Sequence, residues 1–256
     1  MKILLVNEAG CFAPGITALA KALSGRHRVC IVAPLHPSEG VGHHFTASAH
    51  PLRVRQYFVL NKVKIYSVNG TPADCVTLAM DKILKSKPDL IVTGICNYNS
   101  RGETIYSSGV VSAAIEGTIQ GIPSIAVSAK IRDPNDEKHF MAIATNFARN
   151  LNYLVKHMPD NTTLNVNYPD KFSARKIICT HLTQGMIANK YSAEVNPFGA
   201  TFYWLKSPLM GFALESLEQK GDLYYLKKGY ITVTPLKLNL TKEDAIPYLE
   251  RAGISL

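Results

Sequence analysis

The stretch Lys2-Ile3-Leu4-Leu5-Val6-Asn7, followed by Pro14-Gly15 and the apolar-spaced run 16–23, decides the fold. The four consecutive apolar residues predict a short buried strand, and the helical spacing within 16–23 predicts an amphipathic helix. A second apolar strand is predicted at 28–33. Because a strand–helix–strand unit of this kind forms a right-handed parallel crossover, the chain is predicted to begin as a parallel α/β sheet.

The same alternation continues through the first half of the chain. Further strands are predicted at 52–60, 62–68, 90–94 and 123–128, and helices at 72–84 and 109–117. Alternating strands and helices predict an open, mostly parallel Rossmann-like sheet with helices on both faces.

The second half gives a weaker signal. The sequence predicts a helix at 140–155, strands at 163–166, 176–180 and 230–233, the last ending at Pro235, and a terminal helix at 241–252 capped by Thr241. Residues 185–222 show little periodicity, which is typical of a functional loop, an extended hairpin or a partner-binding arm. We therefore expect an α/β core over 1–184 and a separate extension over 185–256, made of an irregular arm, a return strand and a terminal helix.

Composition narrows the class of protein. The chain has 256 residues, of which 46% are apolar, enough for a sizeable core and too many for disorder. A net charge of +9, spread along the chain, suits an anionic substrate, but no nucleic-acid-binding motif accompanies it. Five cysteines without a CxxC pair indicate a reduced cytoplasmic protein, and the amino-terminal apolar run is too short for a signal peptide or membrane span. Neither nucleic acid nor membrane is an expected partner.

Polar loops follow three of the predicted strands. Ligands of open parallel sheets bind at the carboxyl ends of the strands, so the loops 7–10, 36–46 and 95–109 are predicted to converge on one cleft. Neither a GxGxxG nor a P-loop motif is present. Ser107 and Ser108 precede Gly109 at a helix start, where backbone N–H groups suit a phosphate; the alternative is a plain helix cap. His43 and His44 are candidate acids or ligands, or else surface residues.

Ordered blocks along nearly the whole chain resemble the family of the stationary-phase survival protein SurE. They include Lys2 to Asn7 with Gly10, Gly70-Thr71-Pro72-Ala73-Asp74, Gly121-Ile122-Pro123 and the block from Gly229 to Leu236. The resemblance implies a three-layer α/β fold and a phosphomonoesterase that hydrolyses nucleoside 5′- and 3′-monophosphates with a divalent cation, Mg²⁺ or Mn²⁺. It also implies a homodimer or homotetramer with an exchanged carboxyl-terminal segment and an extended hairpin.

The chain departs from the family at all four expected metal positions. Where the family reads Asn-Asp-Asp-Gly, this chain reads Asn7-Glu8-Ala9-Gly10. Glu39 stands where the family has a serine, and Cys96 where it has an asparagine. A hard cation favours oxygen ligands, and neither Ala9 nor the Cys96 sulfur supplies one.

Two interpretations remain open. In the first, Glu8 and Glu39 rebuild the metal site, with Asn97 or water filling the remaining positions and Cys96 as a weak ligand, and both carboxylates act in catalysis. In the second, the protein binds no metal, is catalytically inactive, and holds a phosphate-containing ligand or a protein partner. In either case the predicted phosphate contacts are Asn7, Gly10, Ser107, Ser108 and Gly109.

Overall fold

The computed structural model describes residues 1–46, 49–58, 63–173, 176–184, 190–206 and 221–254. The strands are β1 Lys2–Val6, β2 Arg28–Pro34, β3 Val54–Phe58, β4 Lys64–Val68, β5 Leu90–Cys96, β6 Ser124–Ala129, β7 Thr162–Tyr168, β8 Ile177–Cys179, β9 Lys190–Val195, β10 Thr201–Lys206 and β11 Ile231–Lys237. The α-helices are α1 Pro14–Leu23, α2 Pro72–Leu78, α3 Gly109–Ile119, α4 Glu137–Lys156, α5 Asp222–Lys227 and α6 Ile246–Arg251. A π-helical turn, Ala79–Ile83, extends α2, and 3-10 turns cover Gly102–Ser107 and Glu243–Ala245.

One sheet contains nine of the described strands, in the order β3-β4-β2-β1-β5-β6-β7-β11-β8. The strands from β4 to β7 run parallel, whereas β3 is antiparallel to β4 and β11 is antiparallel to β7. The predicted mostly parallel α/β sheet is therefore confirmed.

Side-chain alternation in β1 explains the three layers. Ile3 and Leu5 pack in the core cluster that contains the apolar faces of α1 and α4. Leu4 and Val6 pack in the opposite cluster, with α2 and α3. All four are at most 2% exposed, and each such burial contributes about 1.5–3 kcal/mol. Because both faces of β1 are apolar, helices cover the sheet on both sides.

A glycine brings α1 close to the end of β5. A Cβ atom added to Gly15 would lie 2.1 Å from the carbonyl oxygen of Ile95. Only a residue without a side chain permits this approach. The contact fixes the loop after β1 against the strand that leads into the third polar loop.

Some predicted elements differ in extent. Strand β11 continues through Pro235 to Lys237, because β8 pairs only as far as Val233 and leaves that side of β11 free at the proline. The predicted helix at 241–252 is a 3-10 turn followed by the short α6, and Thr241 does not cap it. Pro247, which lacks an N–H group, stands in the first turn of α6.

The carboxyl-terminal part contains a hairpin and a short helix that the sequence pattern left undefined. Strands β9 and β10 pair antiparallel, with Thr201 opposite Val195. The rest of the predicted arm, 185–189 and 207–220, lies outside the described residues. Strand β11 returns to the main sheet beside β7. A separate oligomerisation role for 185–256 stays a prediction.

Candidate functional site

The three polar loops meet at the carboxyl edge of the sheet, as predicted. The N–H group of Ser38, in the loop after β2, donates to the carbonyl of Glu8, in the loop after β1, at 2.8 Å. In the same way Gly42 N–H donates to the carbonyl of Ser107, just before α3, at 3.1 Å. Backbone hydrogen bonds thus join the first loop to the second and the second to the third, which forms one cleft.

Glu8 lies at the centre of this cleft and its side chain is fully buried, at 0% exposure. Its Oε1 accepts a hydrogen bond from the Tyr98 hydroxyl at 2.6 Å, and its Oε2 accepts one from the Gly109 N–H at 2.8 Å. Gly109 is the first residue of α3, whose amino end carries partial positive charge. The carboxyl group of Glu8 therefore occupies a position that favours an anion.

Burial dominates the titration of this group. Desolvation raises the pKa of the Glu8 carboxyl, and this outweighs the hydrogen bonds from the Cys96 thiol, the Tyr98 hydroxyl and the Gly109 N–H, which lower it. Burial also raises the pKa of the Tyr98 hydroxyl and, well above its usual value, that of the Cys96 thiol. Tyr98 and Cys96 are therefore neutral hydrogen-bond donors at neutral pH.

Glu39 occupies a different environment. Its side chain is exposed, in the loop after β2. Its negative charge raises the pKa of Glu8, although this is the smallest of the contributions. The two predicted carboxylates thus face the same cleft, one inside the protein and one at its solvent side.

The donors present do not fit a hard divalent cation. Ala9 offers no side-chain ligand, and Cys96 is a buried thiol with a raised pKa, whereas a metal takes up the thiolate. Both oxygens of Glu8 already accept hydrogen bonds. Within the described ranges, no three His, Cys, Asp or Glu side chains are arranged to hold a metal ion.

Two buried donors beside Glu8 have no hydrogen-bond partner in the described part of the chain. The Asn7 side chain is fully buried; its Oδ1 accepts from Ala9 N–H at 3.2 Å, while its Nδ2 makes no hydrogen bond. The Ser38 hydroxyl is likewise buried without a partner. Buried polar groups are normally paired, so these two are candidate contacts for a ligand oxygen.

The serines before α3 serve the protein's own structure. Ser108 Oγ caps α3 by accepting from Val111 N–H at 3.2 Å, and it shares a hydrogen bond with Ser100 Oγ at 2.8 Å. Ser107 Oγ donates to the carbonyl of Thr104 at 3.2 Å. The plain-cap alternative therefore describes the Ser108 hydroxyl, while the Ser107 hydroxyl bonds within its own 3-10 turn, and the backbone N–H of Gly109 is the group that faces Glu8.

The third loop is fastened to the sheet beneath it. The carbonyl of Ser100 accepts the side-chain amides of Asn165 at 2.7 Å and Asn167 at 2.8 Å, both from β7. Ser128 Oγ, from β6, donates to Ser100 Oγ at 3.1 Å. The amino end of α3 is thus linked through Ser100 to two strands.

Two further contacts border the cleft. His43 Nε2 pairs with Glu116 Oε2 at 3.0 Å, so one of the two candidate histidines holds the second loop to α3. Asp74 forms a capping box with Thr71 at the start of α2, which agrees with a structural role.

Sequence reasoning did not single out Tyr98, since a tyrosine two residues beyond a strand carries no pattern of its own.

The fold and the cleft define a three-layer α/β protein with its candidate site at the carboxyl edge of a mostly parallel sheet. The sequence model described as "Survival protein SurE" matches residues 3–189. The chain belongs to the SurE family.

Similarity to other members of the family extends over the full length of the chain. The chain is 35% identical over 260 residues to a protein named 5′-nucleotidase SurE from Thermoanaerobacter sp. (strain X514), covering all of both chains. It is 38% identical over 255 residues to the protein of that name from Geotalea uraniireducens, covering 98% of each. The crystal structure of the SurE protein from Aquifex aeolicus aligns with a TM-score of 0.80 at 36% identity, covering 99% of this chain and 100% of that one.

Proposed function

We propose that this protein is a phosphomonoesterase that hydrolyses nucleoside 5′- or 3′-monophosphates. The observation that carries the proposal is its identity of 35–38%, over 98–100% of both chains, to proteins named 5′-nucleotidase SurE. The cleft supports it, because the buried Asn7 amide, whose Nδ2 has no partner among the described residues, is a donor of the kind that binds phosphate oxygens.

The residues of the cleft are assigned roles on this basis. Asn7 Nδ2 and the backbone at Gly10 and Ser107 are the proposed phosphate contacts. The N–H groups of Ser108 and Gly109 are bonded within the chain, to the Ile105 carbonyl at 3.2 Å and to Glu8 Oε2 at 2.8 Å, so these two predicted contacts require that those hydrogen bonds are released. Glu39 is exposed beside the buried Glu8, so it is the carboxylate able to accept a proton from an attacking water. Glu8 shapes the floor of the cleft next to the reacting group.

Whether the proposed hydrolysis needs a divalent cation is tested by the assay described below. Resemblance to the family implies a divalent cation, Mg²⁺ or Mn²⁺, whereas the donor set around Glu8 does not fit one. No step is assigned to a cation for that reason.

A second candidate function is supported by the same donor set. Ala9 and Cys96 supply no hard oxygen ligand, and Glu8 is fully engaged in hydrogen bonds. These observations are compatible with a SurE-fold protein that binds a phosphate-containing ligand, or a protein partner, without hydrolysing a phosphate ester, whereas the named relatives support hydrolysis.

A nucleotide panel separates the two functions. Purified protein is assayed for phosphate release from the nucleoside 5′- and 3′-monophosphates with Mg²⁺, with Mn²⁺ and with EDTA, and E39Q serves as the matched variant. We expect release that E39Q reduces at least tenfold. Absence of release under all three conditions, in a sample shown to be folded, rejects hydrolysis; stabilisation of that sample by nucleotide in EDTA then supports the binding function.

The assembly is also proposed rather than observed. The hairpin β9–β10 exposes Tyr191, Phe198, Tyr203 and Trp204, with Phe198 at 94%. Such an exposed apolar group is typical of an interaction surface, in agreement with a homodimer or homotetramer built through the carboxyl-terminal region. No helix among the described residues has the length and apolar character to cross a membrane. A cytoplasmic location stays a prediction.

A further inference from the structure

The amino end of α3 is already occupied by a side chain of the protein itself. Glu8 Oε2 accepts the Gly109 N–H at 2.8 Å. A Cβ atom added to Gly109 would lie 2.8 Å from that oxygen and 3.1 Å from Pro72 Cγ. The space in front of the first turn of α3 is therefore filled by the Glu8 carboxyl group, which satisfies the Gly109 N–H.

A second observation indicates that a ligand belongs beside this position. Asn7 Nδ2 and Ser38 Oγ are buried and have no partner in the described residues, although their neighbour Glu8 has donors on both oxygens. Unsatisfied buried donors cost about 1–3 kcal/mol each unless another group accepts from them. Phosphate oxygens would satisfy both donors, whereas the Gly109 N–H is already taken by Glu8.

The other contacts of Glu8 hold it in this position. The Tyr98 hydroxyl donates to Oε1 at 2.6 Å, and the Ser38 N–H donates to the Glu8 carbonyl at 2.8 Å. Side chain and backbone of Glu8 are thus fixed independently. Since the residue is completely buried, solvent does not compete for its oxygens.

We propose that the Glu8 side chain fills the amino end of α3 and thereby excludes phosphate from it, an autoinhibitory contact held in place by the hydrogen bond from Tyr98. This inference rests on the proposed function, because it concerns the phosphate position of the same cleft. A phosphate group gains the Gly109 N–H only when the Glu8 side chain leaves it.

Inorganic phosphate is the probe, titrated in EDTA at constant ionic strength by calorimetry and by thermal unfolding. The wild-type protein is compared with E8A, which empties the position, and E8Q, which keeps its length and an acceptor oxygen without the charge. We expect E8A to bind phosphate at least tenfold more tightly than the wild type, and E8Q to stay close to the wild type. Equal affinity of wild type and E8A overturns the proposal, and so does E8Q binding as tightly as E8A, since charge rather than occupancy would then be the cause.

Two further variants keep the test decisive if E8A does not fold. E8N is neutral and one methylene shorter, so it withdraws from Gly109 and is expected to gain phosphate affinity as E8A does. Y98F removes only the fastening hydrogen bond and is expected to gain about threefold; affinities of folded E8N and Y98F equal to that of the wild type overturn the proposal. Phosphate binding is measured without turnover, so absence of nucleotide hydrolysis would reject the proposed enzyme and leave this result standing.

Discussion

Apolar side chains are usually buried and polar side chains exposed. The floor of the cleft and the hairpin β9–β10 are opposite exceptions to this rule. In the cleft, the polar side chains of Asn7 and Glu8 are fully buried, and Glu8 is paired within the chain. On the hairpin, Tyr203 and Trp204 are 70% and 61% exposed. Buried polar groups and exposed apolar groups are the informative exceptions on a protein surface. From this difference we expect a small ligand to complete the cleft and another protein surface to cover the hairpin.

The largest expected effect tests the rigidity of the cleft region. Gly15→Ala places a Cβ atom 2.1 Å from the Ile95 carbonyl oxygen, a backbone atom, so α1 must move away from β5. We expect the free energy of unfolding to fall by about 3 kcal/mol, measured by urea denaturation. Gly25→Ala is the control, because no atom lies within 4 Å of its added Cβ and its φ is not positive. Equal stability of the two variants would contradict close packing at this point.

Removing one hydroxyl from each region makes the comparison direct. Tyr98→Phe leaves a buried oxygen of Glu8 without its donor, and we expect it to lower the free energy of unfolding by about 1–3 kcal/mol. Tyr203→Phe changes an exposed ring on the hairpin, and we expect a change within about 0.5 kcal/mol. A Tyr98→Phe variant as stable as Tyr203→Phe would mean that the Glu8–Tyr98 hydrogen bond contributes nothing.

The pH dependence of stability reports on the buried carboxyl. Its pKa in the folded protein is raised above 4.5, mainly by burial, so the folded state binds this proton more tightly than the unfolded state. Stability from this group is fully present below pH 4.5 and is lost as pH rises through the raised pKa. We expect the wild type to lose more stability than Glu8→Gln over that rise, measured by urea denaturation at a series of pH values. Parallel curves for the two proteins would show that the pKa of Glu8 is not raised.

The smallest effect on stability is expected at the hairpin. Trp204→Ala removes an exposed ring, so monomer stability should change by no more than about 0.5 kcal/mol. The oligomer, measured by light scattering during gel filtration, should dissociate at concentrations where the wild type stays associated. Tyr153→Ala on α4, where the ring is 68% exposed, is the control expected to leave assembly unchanged. An unchanged assembly in Trp204→Ala would remove this side chain from the interface.

The sheet and its layers could be predicted because the spacing of apolar residues, on which the prediction rests, is a local property of the sequence. Runs such as Ile3 to Val6 and the apolar spacing in α1 and α4 record the burial of each residue directly in the sequence. The same holds for the meeting of the three loops, which follows from parallel strands ending at one edge. The predicted ends of strands were wrong where the pairing of neighbouring strands decides them. Strand β11 can include Pro235 because its neighbour β8 ends before that position, which the sequence around Pro235 does not reveal.

The interior of the site could not be predicted to the same depth. Glu8 and Glu39 are two carboxylates of equal length in the sequence, yet one is completely buried and the other exposed. What separates them is the reach of Glu8 to Gly109 and Tyr98, more than 85 positions away along the chain. Such contacts arise from tertiary packing, which neither periodicity nor residue type encodes.

The carbonyl of Ser100 accepts hydrogen bonds from two side-chain amides, and this affects how fast nearby backbone amide protons exchange with solvent. Asn165 and Asn167 belong to β7, so the amino end of α3 can open only if its attachment to an interior strand is broken as well. The Gly109 amide proton, covered by Glu8, should therefore exchange with deuterium at the slow rate of the sheet rather than at the rate of a surface loop. A cleft floor of this kind holds its shape between successive ligands and does not have to be rebuilt by each one.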